Sequence, residues 1–157
     1  MKTSQPLVPS LLDRLLDDAP ENPQSLSRPF TWRDMRHSVR RDLENLLNAK
    51  VHWHVWSEHY PELDCSLLSY GLPDFSSMSL GSKDGRQVLC QIIESTIRKF
   101  EPRFSDVAVS VVGDDQPLDR ILRLRIHALF HATSEPEEVI FDSEVEPVCL
   151  GIRINES

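Results

Sequence analysis

The chain has 157 residues, a formal net charge of −8, 39% hydrophobic residues and 27% charged ones. That length and apolar share suit one folded domain and exclude a fully disordered chain, while the acidic balance argues against a nucleic-acid binder, whose footprint is basic. No apolar run reaches the length of a membrane span or a signal peptide, so the sequence reads as cytoplasmic.

Residues 1–30 read as an N-terminal tether with one short docking helix, and residues 31–157 as a single domain. Pro6, Pro9, Pro20, Pro23 and Pro29 punctuate the tether. Between them, Ser10 is a natural cap and Asp13 its reciprocal partner. Leu11, Leu12, Leu15 and Leu16 form an apolar stripe. Two helical turns are marginal in water alone, so this helix is expected to dock, on its own domain or on a partner. Thr31 with Asp34 repeats the capping signal. Phe30 and Met35 occupy the staple positions, and Met35, Val39, Leu43, Leu46 and Leu47 recur at helical spacing as far as Asn48.

Between Val51 and Gly81 the period is lost, and Trp53, Trp56, Tyr60 and Tyr70 read as anchors of an ordered loop. A second long helix starts at Ser82, carries Leu89, Ile92, Ile93 and Ile97, and stops before Pro102. Thereafter the period drops to two. Val107, Val109 and Val111 alternate, a turn follows at Gly113, and Leu122, Leu124, Ile126, Ala128 and Phe130 share a face opposite Arg123, Arg125 and His127. Residues 138–144 and 148–154 read as two more strands. Helices first and strands later predict an α+β fold, with helices on one face of a small antiparallel sheet of three to four strands.

Candidate chemistry is sparse. Cys65, Cys90 and Cys149 are odd in number and far apart, which predicts buried thiols rather than disulfides or zinc. His52, His54 and His59 lie close together but lack metal-ligand spacing, so packing histidines are expected and no metal or other cofactor. A lysozyme-like glycoside hydrolase acting on peptidoglycan is the enzymatic alternative. It needs an acid in an apolar pocket and a second carboxylate at a set distance. Glu101 is the one acid flanked by apolar residues at an element boundary, but Arg103 favours its ionised form. The sequence is therefore read as non-enzymatic, with no catalytic residue.

Binding features are clearer. Glu101, Pro102 and Arg103 form a rigid charged corner, suited either to contacting another chain or to an internal salt bridge. Leu150, Ile152 and Ile154 alternate in the last strand. If that strand lies at a sheet edge, it can accept a strand from a partner.

Several segments together resemble the TssE family, the type VI secretion baseplate subunits of the phage-tail lysozyme-like baseplate wedge group. They are the leucine helix at 10–15, the segment 41–48 (RDLENLLN), the segment 66–75 (SLLSYGLPDF), the corner 100–104 (FEPRF), and the pieces 124–126 and 141–144. The resemblance implies a structural subunit that works with the wedge subunits TssF, TssG and TssK, in several copies per baseplate. It also implies a role in starting polymerisation of the TssB/TssC sheath, in the cytoplasm at a membrane-docked baseplate. By the same resemblance Glu101, Pro102 and Arg103 engage the wedge core, and a sheet edge receives sheath arms.

Overall fold

The computed structural model describes residues 7–16, 29–51, 57, 59–113, 121–131, 136–146 and 151–156. Leu150, Cys149, His52 and His54, together with Trp53 and Trp56, lie outside the described residues.

The first helix, α1 (Leu11–Leu15), is a single short turn set by a reciprocal cap: Ser10 accepts from the Asp13 amide while the Asp13 carboxylate accepts from the Ser10 amide. The same device opens α2 (Trp32–Asn48), between Thr31 and Asp34. Its buried stripe of Met35, Val39, Leu43, Leu46 and Leu47 matches the periodicity. In the loop that follows, two short 3-10 turns span Pro61–Cys65 and Leu67–Ser69. Cys65 is exposed, which corrects the expectation of a buried thiol; it ends a 3-10 turn with no buried residue, whereas Cys90 sits on the buried face of a helix. The loop closes back on the end of α2 where the Leu72 amide donates to the Ala49 carbonyl at 2.8 Å and the Val51 amide to the Leu72 carbonyl at 3.0 Å. Gly71, at φ +117°, permits this return, because a Cβ there would run into the Ala49 carbonyl.

Ser82 caps α3 (Lys83–Phe100) by accepting from the Gly85 amide. Four strands follow: β1 (Phe104–Val112), β2 (Leu122–Phe130), β3 (Glu137–Glu146) and β4 (Gly151–Glu156). They form one antiparallel meander in sequence order, so β1 and β4 are the two edges. This is the α+β arrangement that the sequence predicts, with four strands.

Both long helices cover one sheet face. Leu43 and Val39 from α2, Leu89, Ile93 and Ile97 from α3, and Val107, Leu124, Ile126, Phe141 and Ile154 from the strands share one core. The opposite face carries a cross-strand ladder: Arg123 to Glu144 at 3.5 Å, Arg125 to Asp142 at 2.7 Å and His127 to Glu138 at 3.5 Å.

Candidate functional site

The corner between α3 and β1 is the most heavily charged interior feature among the described residues. Glu101 is the C-cap of α3, and Pro102 blocks any continuation of that helix. The Phe104 amide then donates back to the Glu101 carbonyl, closing a tight turn. Within it the Arg103 fork meets the Glu101 carboxylate twice, Nε at 2.8 Å and Nη2 at 2.9 Å. Nη2 also donates to Asp42 on α2 at 2.9 Å. Asp42 in turn accepts from Arg41, and Arg41 donates to Asp13 on α1 at 2.9 Å. Five charges thus run without a break from the N-terminal helix to the corner.

Burial pushes the Glu101 carboxyl up, with the Asp42 charge adding to it, against the opposing pull of Arg103. Arg103 favours the ionised form, as expected from the sequence, but Glu101 is buried and its desolvation is the larger effect. At Asp13 burial also opposes the charge. Hydrogen bonds from Ser38, Ser10 and Arg41, and the Arg41 charge, outweigh it and hold the carboxyl below its usual range. Tyr70 stands beside the corner, its ring edge-on to Phe100 at 5.4 Å. Burial first, then the charges of Glu101 and Asp42, push its phenol up.

The leucines of α1 face away from this network. While Asp13 is tied to α2, Leu11 is 79% and Leu15 81% exposed, and Leu12 and Leu16 are also exposed. The short helix is therefore docked through its polar side and displays its apolar side. Elsewhere His59 bonds to Ser57, and the described residues contain no group of His, Cys, Asp and Glu able to hold a metal ion.

The two sheet edges differ. On β4, Ile152 and Ile154 bury their side chains in the core, and their backbone groups turn outward, away from β3. There the Asn48 side chain behaves like a neighbouring strand: its oxygen accepts from the Ile152 amide at 2.9 Å and its nitrogen donates to the Ile152 carbonyl at 2.7 Å. Arg40 donates to the Ile154 carbonyl at 3.1 Å. On β1, Val107 is engaged in a similar way, its carbonyl by Arg98 at 2.7 Å and its amide by the Asp106 carboxylate at 2.9 Å. Val109 and Val111 follow at the two-residue period, so their amides and carbonyls face the same side. Among the described residues no hydrogen bond reaches those outward groups.

Comparison with known proteins places this geometry. Residues 33–135 match the family of baseplate wedge protein gp25, a span from the start of α2 past the end of β2. The chain belongs to that family. A solved structure titled "The baseplate complex from the type VI secretion system" contains a chain of similar fold, with 17% identity and a TM-score of 0.50. The similarity covers 73% of this chain and 96% of that one. No curated protein matches.

Within this member of the wedge family, Glu101, Pro102 and Arg103 come together as one unit, with Pro102 exposed and the two charges turned on each other. The exposed leucines form a separate surface. Ile152 and Ile154 lie on an edge strand whose outward backbone is bonded to α2. Sequence reasoning missed Asp42, Arg41 and Asn48. All three stand inside the 41–48 segment, but nothing local marks which distant backbone or side chain each one reaches.

Proposed function

We propose that this chain is a non-enzymatic structural subunit of a type VI secretion baseplate wedge, and that it nucleates the contractile sheath by templated strand addition. The observation that supports this most is the shared fold with a chain of a type VI baseplate complex, together with membership of a wedge family. Among the described residues no helix is long and apolar enough to cross a membrane.

In this reading α1 docks on the wedge subunits TssF, TssG and TssK through Leu11, Leu12, Leu15 and Leu16. The corner of Glu101, Pro102 and Arg103 braces the wedge contact by holding α1, α2 and the sheet in one frame. A sheet edge then offers TssB/TssC a backbone register to copy. No chemistry is required: the subunit works by presenting hydrogen-bonding groups in fixed positions, and several copies around one axis set the order of the first ring.

Replacing Leu11 and Leu15 together by Glu tests the docking surface. Both residues are largely exposed, so stability should stay within about 0.5 kcal/mol of the parent. Co-purification of the wedge subunits should be lost. Unchanged capture by the folded double variant contradicts the assignment of α1.

A further inference from the structure

We propose that the strand-accepting edge is β1, at the cleft between β1 and α3, and that its occupant is an extended segment of a neighbouring subunit lying beside Val109 and Val111. This rests on the strand-addition reading above and names the place within it. A sheet edge with unpaired amides and carbonyls is a template for another strand, and proteins usually blunt such edges. Here Asn48 and Arg40 blunt β4, and Asp106 with Arg98 blunts the first part of β1. The stretch from Val109 to Val111 has no such cover among the described residues.

α3 lies close to β1 at its C-terminal end, where Arg98 reaches Val107 and Asp106. Toward its N-terminal end a cleft of about 560 Å³ opens between the two, lined by Cys90 together with the charged Lys83, Arg86 and Glu94 on the α3 wall and by Val109 and Val111 on the other. Both valines are only half-buried, although they continue the core-facing row begun by the fully buried Val107. An added strand would pair with the free amides. Its inward side chains would complete the cover of Val109 and Val111, and its outward ones would join the solvated face beside Ala108 and Ser110. The occupant is therefore a short extended peptide with apolar residues at alternate positions, because a helix could not present backbone groups to β1.

Val109→Pro tests the assignment in the full chain. The Val109 amide points away from β2, so proline removes an outward donor and spares the β1–β2 ladder. In cells with a fluorescent sheath subunit, this variant should still co-purify with the wedge, while sheath number falls at least about tenfold, the loss expected for an essential contact worth 1.4 kcal/mol or more. Sheaths at parental number overturn the β1 assignment. If the variant fails to fold, amide exchange on the unmodified chain decides instead. The Val109 and Val111 amides should gain at least about tenfold protection in isolated wedge–sheath assemblies relative to the free chain, with Ile152 unchanged. Protection gained at Ile152 alone, or at neither edge, overturns it. Deleting the whole chain separates the two levels: normal sheaths without it refute the proposed function, whereas sheaths lost on deletion but normal with Val109→Pro refute the edge alone.

Discussion

Arg103 binds two carboxylates that belong to different elements, Glu101 at the end of α3 and Asp42 on α2. Its removal would leave Glu101 buried without its counter-charge and detach the corner from α2. Breaking a fully buried ion pair from one side costs about 3–5 kcal/mol. Arg103 keeps 26% of its side-chain surface exposed, so solvent screening lowers the expected loss for Arg103→Ala to about 2 kcal/mol. Urea denaturation measures this directly, and a loss under about 0.5 kcal/mol would show that the network contributes nothing beyond an ordinary surface pair. A wedge-assembly defect in Arg103→Ala therefore has to be compared with a variant destabilised equally elsewhere in the core. The sequence exposes the constraint at this corner, since proline fixes the backbone between two opposite charges. Choosing between an internal and an external partner needs the position of Asp42, 61 residues away in the chain.

The elements repeat this division between local and distant information. Helix starts were legible because their signals are contiguous: Ser10 with Asp13 and Thr31 with Asp34 both form the expected reciprocal caps. The inward row of β2 was legible from alternation alone. The closure of β4 was not, because it depends on Asn48, 104 residues upstream of Ile152, and an asparagine at a helix end reads as a stop signal. Asn48→Ala removes both of its bonds to Ile152 and should cost about 1–2 kcal/mol. Faster exchange of the Ile152 amide should accompany that loss. An unchanged amide would mean that Asn48 does not guard this edge in solution. The loop between α2 and α3 was legible only as an ordered segment; its two 3-10 turns leave no periodic trace, being too short to repeat a face.

At the scale of the whole molecule, charged side chains tie separate elements together. Arg40 and Arg41 of α2 bond to acidic partners and to the β4 backbone, while Glu138, Asp142 and Glu144 of β3 pair across the open sheet face with β2. The result is a plate covered by helices on one side and by ion pairs on the other, with the N-terminal helix tied to α2 and its leucines displayed outward. Such a body suits a part that fixes the position of its neighbours. The central claim is that sheath assembly begins on this plate. Time-lapse imaging of a fluorescent sheath subunit in cells that lack this chain, and in the same cells with the chain restored, tests it most directly. Sheaths should be absent in the first and return in the second; sheaths that form at normal number and length without the chain would contradict the claim.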